Sequence, residues 1–199
     1  MPKVLISDAM DGIAEKILTS NKIDVDVKTD FNIKELKDKI SEYDGLIIRS
    51  ATKVTKEIIE SAKNLKIIGR AGAGVDNIDL VTAKEKKIIV MNTPGGNTNA
   101  TAEHTLALLM SLSRKISKAD VSTHKGEWAK KKLKGNEIKG KTIGIIGFGN
   151  VGRRFAEICK VLCLKVLIVS KSFIAVKDQY PEYRSCDLNE VLKHADIIS

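Results

Sequence analysis

Short apolar runs rich in β-branched residues alternate with lysine- and glutamate-rich stretches through the first half of this chain. That alternation limits its possible folds more than any other feature. The runs are Lys3–Ser7, Ile23–Lys28, Gly45–Arg49, Leu65–Gly69 and Ile88–Asn92; the stretches between them, Asp11–Thr19, Ile33–Ile40, Thr55–Ala62 and Asn77–Lys86, have helical spacing. Nearly continuous apolar strands separated by helices belong to a parallel sheet covered on both faces. Lys3 to about Asn92 therefore reads as one doubly wound α/β domain of about five strands.

The texture changes after the turn cluster Asn92-Thr93-Pro94-Gly95-Gly96-Asn97. A single long helix is expected over Thr98–Lys118, where Leu106, Leu108, Leu109, Met110 and Leu112 make too many sides apolar for a surface helix. A second domain or a second subunit is expected to cover it. A lysine-rich connection carrying Trp128 follows, and a second α/β unit begins at Lys141. Its strands are expected at Thr142–Ile146, Lys165–Val169 and Ala195–Ile198, with helices at Val151–Cys163 and Asp187–Lys193. This is about half of a six-stranded dinucleotide fold, in which Thr142–Ile146 is central. With the chain stopping at Ser199, Gly144-Ile145-Ile146 is expected to present an unpaired apolar edge, a template for aggregation.

Composition narrows the class. Lys+Arg number 34 and Asp+Glu 25, for a net charge of +9, but the lysines are spread out and aromatic residues are only 4%. Neither nucleic acid nor membrane is the expected partner, since single-strand binders bring stacking platforms and no apolar run approaches membrane length. The N-terminus lacks a signal peptide's apolar stretch and cleavage site, so the expected location is the cytoplasm. Cys159, Cys163 and Cys186 are too few and too odd in number for a disulfide framework. Cys159 and Cys163, four apart in a helical pattern, are expected to share a packed face. No metal, Ser/His/Asp or Cys/His constellation stands out, and His104, His124 and His194 carry no pattern of a catalytic base.

The strongest chemical motif is Gly147-Phe148-Gly149-Asn150-Val151-Gly152, a G-x-G-x-x-G that follows a strand and opens a helix. Gly147 permits the tight turn, Gly149 lets backbone approach a pyrophosphate, and Gly152 lets helix and strand pack closely. The helix N-terminus adds free N–H groups and a positive dipole end. A carboxylate for the ribose hydroxyls normally ends the next strand, about 20 residues on. Here that position, 18 residues past Gly152, is Ser170, followed by Lys171 and Ser172.

Two loops of the first domain stand at carboxyl ends of strands, where open α/β sheets bind ligands. In Arg49-Ser50-Ala51-Thr52, Arg49 is a bidentate fork for phosphate or carboxylate, or else one half of a surface ion pair. In Gly69-Arg70-Ala71-Gly72-Ala73-Gly74-Val75-Asp76-Asn77, the N–H groups of Gly72 and Gly74 are an anion nest, or else a tight turn before a helix.

Taken in order, these motifs resemble the D-isomer-specific 2-hydroxyacid dehydrogenases. The likeness rests on Leu46–Thr55, Ile68–Asp79, Met91–Asn97, Ala102-Glu103-His104 and Gly140–Gly144 before the glycine turn. It implies a flavodoxin-like substrate domain over 1–96 and the first half of a Rossmann dinucleotide-binding domain over 97–199. It implies oxidation of the hydroxyl of a D-2-hydroxyacid, 3-phosphoglycerate foremost, at the entry to serine synthesis. The alternatives are glyoxylate or hydroxypyruvate reduction, or a non-catalytic dinucleotide-sensing or interaction protein on the same fold. It further implies that Arg49, Ser50 and Gly72 face the substrate and that Ala73, Asn150, Val151 and Ser170 line the cofactor with the three glycines. The family's partner is a second copy through the cofactor domain. Its catalytic Arg, Glu and His lie beyond the region matched here, so no catalytic residue is assigned and the chain alone is expected to be inactive. The family default is NAD. Ser170 cannot repel a 2′-phosphate and Lys171 can neutralise one, so the local sequence leans to NADP unless Lys171 is merely solvated.

Overall fold

The computed structural model describes Met1–Ser199, and the chain divides into two compact units, Met1–Gly96 and Asn97–Ser199. In the first unit the order is β1 (Lys3–Ile6), α1 (Ile13–Ser20), β2 (Asp24–Val27), α2 (Ile33–Lys39), β3 (Gly45–Ile48), α3 (Lys56–Ser61), β4 (Ile67–Arg70), α4 (Leu80–Glu85) and β5 (Ile89–Asn92). The five strands are parallel, in the order β2-β1-β3-β4-β5. The reversal of winding between β1 and β3 makes their carboxyl ends the place where a ligand crevice forms in such sheets. Leu5, Leu46, Ile48 and Ile68 from the strands pack with Leu36 of α2, Ile58 and Ile59 of α3 and Ala83 of α4 in one core. Full burial of each large side chain contributes roughly 1.5–3 kcal/mol.

Local capping sets the helix starts. Asn32 and Glu35 form a reciprocal capping box at α2. The helix expected from Asn77 begins later, because the Asp79 carboxylate accepts the N–H groups of Val81 and Thr82 as the cap of α4. The residues before it are used otherwise: Val54 N–H donates to the Asn77 carbonyl and Asp79 N–H to the Val54 carbonyl.

The second unit runs α5 (Thr98–Arg114), α6 (Ile116–His124), β6 (Thr142–Ile146), α7 (Asn150–Val161), β7 (Lys165–Val169), α8 (Lys171–Ile174), β8 (Arg184–Ser185), α9 (Leu188–His194) and β9 (Ile197–Ile198). Its parallel sheet has the order β8-β7-β6-β9. In sequence terms this is 3-2-1-4, the beginning of the Rossmann order. β8 is a strand the sequence did not announce; it is two residues long and has no apolar run.

Three expectations fail here. The helix over Thr98–Lys118 is broken at Lys115, which sits in the left-handed region at φ 55°. The Ser113 carbonyl, which a continuing helix would pair with its next turn, accepts instead from Asn136 N–H at 2.8 Å. Secondly, β6 is not an open edge. Asp196 N–H donates to the Thr142 carbonyl, Ser199 N–H to that of Gly144, and Ile146 N–H to that of Ser199, so the last residues of the chain pair β6 along its length. Thirdly, Cys159 and Cys163 do not share a face. Cys159 is buried in α7, where burial pushes its thiol up to about 12. Cys163 lies past the helix end at φ 60° and is exposed.

Candidate functional site: a glycine turn and a clamped arginine loop

β6 runs straight into the glycine turn. Gly147 has φ +108°, a conformation that favours glycine whatever the surrounding space, and its N–H donates to the Val169 carbonyl at 2.8 Å, tying the turn to the end of β7. Gly149 is the cap residue of α7 and has no side chain to satisfy the helix N–H groups. A Cβ placed on Gly149 would meet nothing within 4 Å, so the approach to the helix N-terminus is open. A Cβ on Gly152 would fall 2.2 Å from the Gly147 carbonyl oxygen, so only glycine lets α7 lie this close to the turn. Asn150 is exposed and Val151 half-buried in the first turn of α7. An open, uncapped helix N-terminus behind a left-handed turn fits the pyrophosphate of a dinucleotide.

At the end of β7, Ser170 precedes α8 without capping it, and its hydroxyl instead shares a hydrogen bond of 2.9 Å with that of Ser172; Lys171 is exposed. What holds these three residues is an aromatic cluster that sequence reasoning missed. Phe148 of the glycine turn stands edge-on to Phe173 of α8 at 4.6 Å and to Tyr180 at 5.2 Å. Tyr183 joins at 6.0 Å, and burial pushes its hydroxyl up to about 12. The Arg153 guanidinium lies 5.5 Å from both the Phe148 and the Tyr180 ring centres. The glycine turn and the segment that follows β7 are thus fastened together. Gly144 was read in the sequence only as part of a strand; a Cβ there would meet Val191 Cγ1 of α9 at 2.3 Å, so its packing against α9 requires glycine.

In the first unit the loop after β3 carries Arg49 and Ser50, both exposed. Arg49 donates from one guanidinium nitrogen to the Ala9 carbonyl at 3.0 Å and forms no ion pair with any carboxylate of the chain. Within these residues the ion-pair alternative for Arg49 finds no partner. The backbone of the loop is held by Asp8, just past the end of β1. The Asp8 carboxylate accepts from the N–H groups of Arg49, Ala51 and Thr52 and from the Thr52 hydroxyl. Burial acts to raise its pKa, but these hydrogen bonds outweigh it and hold the carboxyl below the ordinary value.

The loop after β4 wraps around Arg70. Its guanidinium donates to the Gly74 carbonyl at 2.8 Å and, at a longer 3.4 Å, to that of Arg49, so the two loops are bridged. Gly72 faces this group: a Cβ there would lie 2.7 Å from an Arg70 guanidinium nitrogen. The anion nest expected from Gly72 and Gly74 needs correction, because Gly72 N–H is already donated to the Arg70 carbonyl at 2.9 Å. The N–H groups of Ala73 and Gly74 have no protein acceptor and remain available. Ser50 lies in a cleft of about 590 Å³ with Lys53, Lys56, Asp76 and Asn77. Asp8 was passed over in the sequence, and Arg70 and Asn77 were read only as members of their loop, with no role of their own. The one signal was an acid ending the apolar run Val4-Leu5-Ile6-Ser7.

Comparison with known proteins places this geometry. The model of the D-isomer specific 2-hydroxyacid dehydrogenase catalytic domain matches residues 4–194, and the chain belongs to that family. It is 42% identical over 197 residues to a D-3-phosphoglycerate dehydrogenase of Archaeoglobus fulgidus, covering 99% of this chain and 37% of that protein. It is 44% identical over 199 residues to a hydroxypyruvate reductase of Thermotoga maritima, covering 99% of this chain and 63% of that protein. Among solved structures, the NAD+-bound 3-phosphoglycerate dehydrogenase of Entamoeba histolytica superposes with a TM-score of 0.79 at 30% identity, over 99% of this chain and 61% of that one. The chain thus spans between about a third and two thirds of the length of the relatives it matches.

Proposed function

We propose that this chain supplies the substrate-binding unit and the first part of the cofactor unit of a nicotinamide-dependent D-2-hydroxyacid dehydrogenase whose substrate is 3-phosphoglycerate. In that reaction the carbon bearing the hydroxyl becomes a carbonyl, its hydride leaves to the nicotinamide, and the hydroxyl proton leaves to a base. Gly147, Gly149 and Gly152, with the N–H groups of Asn150 and Val151, would hold the pyrophosphate, and Ser170 and Lys171 the adenosine ribose and any phosphate on it. Ala73 would line the cofactor, and Arg49, Ser50 and the Gly72 loop the substrate. No residue here is assigned the acid/base role, and the 199 residues alone are not expected to turn over.

The observation that carries the substrate class is the Arg49 guanidinium, exposed at the carboxyl end of β3 and free of any carboxylate partner. Charge-assisted hydrogen bonds are worth roughly 1.5–3 kcal/mol. At the full length of its relatives, Arg49→Ala should raise KM for 3-phosphoglycerate about tenfold or more, with a smaller effect on an unphosphorylated hydroxyacid. An equal loss on both would assign Arg49 to the shared carboxylate or to the fold. A second reading, hydroxypyruvate reduction, is favoured by the similarity to the Thermotoga maritima protein, of which the chain covers 63%. The same pair of substrates separates the two.

Assembly as a homodimer through the second unit is part of the same proposal. Leu108 and Leu112 of α5, at 59% and 79% exposure, and Trp128 at 90% are left uncovered by the unit's own core. Leu108 and Leu112, four residues apart, share one face of α5, and exposed apolar surface marks an interaction site. Sedimentation of the chain should show a dimer that Leu112→Glu dissociates; a parent sedimenting as a monomer would remove this part.

A further inference from the structure

The Arg49–Thr52 loop is gripped from both polarities of its backbone. On the donor side, Asp8, only 5% exposed, accepts the N–H groups of Arg49 at 2.6 Å, Ala51 at 3.2 Å and Thr52 at 3.1 Å. On the acceptor side, Asn77 Nδ2 donates to the carbonyls of Arg49 and Thr52, both at 2.7 Å. The Asn77 Oδ1 atom is buried without a partner. The amide accepts that loss because, turned over, its oxygen would face two carbonyls. Ser7 adds a hydroxyl contact to Thr52 at 3.0 Å. Between the two grips only the Ser50 N–H has no protein acceptor. The loop therefore leaves two donors unspent at its tip, the Ser50 N–H and the remaining nitrogens of the Arg49 guanidinium.

We propose that Asp8 and Asn77 are positioning residues, a two-sided clamp that presets the Arg49 loop so that the Arg49 guanidinium and the Ser50 N–H receive an oxyanion without the loop having to be ordered on binding. The proposal rests on the reading that this loop faces the substrate. Neither clamp residue touches the ligand. Asp8 acts through backbone N–H groups and Asn77 through backbone carbonyls, so each works by removing conformational freedom that binding would otherwise have to remove. The carboxylate form is required: a neutral amide at position 8 would turn N–H groups toward N–H groups.

The test uses the 199-residue chain, 3-phosphoglycerate as probe, and amide NMR. In the parent, the probe should shift the Arg49–Thr52 amides saturably, and Arg49→Ala should abolish the shifts. Asp8→Asn should keep the sheet amides of Leu5, Leu46 and Ile68 in place. It should speed hydrogen exchange at Arg49, Ala51 and Thr52 at least tenfold and weaken the probe about tenfold. Asn77→Ser should act in the same direction, and it decides the matter if Asp8→Asn does not fold. A folded Asp8→Asn with parent affinity or parent exchange at the loop overturns the clamp alone. A probe that shifts parent and Arg49→Ala alike, or neither, overturns the substrate-facing reading on which the clamp rests.

Discussion

The glycine turn of the second unit and the Arg49 loop of the first both stand at carboxyl ends of strands, yet their backbone shapes are set in opposite ways. The turn is specified from within. Gly147 supplies the left-handed backbone and Gly152 the close approach to the Gly147 carbonyl, all inside one short segment. The Arg49 loop is specified from outside, by Asp8, 41 to 44 residues away, and by Asn77, 25 to 28 residues away. A conformation set by the absence of Cβ atoms tolerates no substitution at the positions that set it, here Gly147 and Gly152, whereas one set by distant hydrogen bonds can be loosened in steps.

The sharpest test of this contrast is Gly152→Ala. Its Cβ would meet a backbone oxygen that cannot rotate away, and overpacking of this kind costs roughly 1–3 kcal/mol or more. A large fall in Tm together with loss of dinucleotide binding is expected. Gly149→Ala, with nothing within 4 Å of the new methyl, should melt with the parent and bind the dinucleotide more weakly. The contrast breaks if Gly149→Ala is the destabilised variant of the two.

A smaller effect is expected from pH on the Arg49 loop. The Asp8 carboxyl is held below its ordinary value of 3.8 in the folded chain. Its stabilisation is thus fully present above that ordinary value and is lost as pH falls through the lowered folded one. Asp8→Asn should be less stable at neutral pH and show a flatter acid limb when unfolding free energy is followed from pH 6 downward. Parallel acid limbs in parent and variant would mean that the loop does not depend on this charge.

The smallest change lies between the two extremes, at the end of β7. Ser170 and Lys171 offer no carboxylate to the ribose, so at full length we expect NADP to be accepted at least as well as NAD. Ser170→Asp should move the preference toward NAD by about tenfold in kcat/KM, roughly 1.4 kcal/mol. A parent already favouring NAD tenfold would sink the reading of Ser170 and Lys171.

How far each part could be read in advance follows the same division. The order of strands and helices was visible because apolar period and turn residues are properties of neighbours in the chain. The sheet order β2-β1-β3-β4-β5 was not visible in the runs themselves, which do not say that β3 passes over β1 to pair on its other side from β2. The helix break at Lys115 was hidden, since Asn136 captures the Ser113 carbonyl from another part of the second unit. β8 was hidden too, because Arg184 and Ser185 pair with Leu167 and Ile168 without an apolar run of their own.

The sequence by itself determined the α/β alternation, the glycine turn and the exposed arginine at the end of β3, because each depends on residue type and spacing over a few positions. Only the tertiary structure decided what holds those pieces. It paired the final residues with β6, set Phe148 against Phe173 and Tyr180, and closed Asp8 and Asn77 on the Arg49 loop. These are meetings of groups far apart along the chain. A hydrogen bond or ring contact between such groups leaves no periodic trace, because its geometry exists only once the strands that carry them lie side by side.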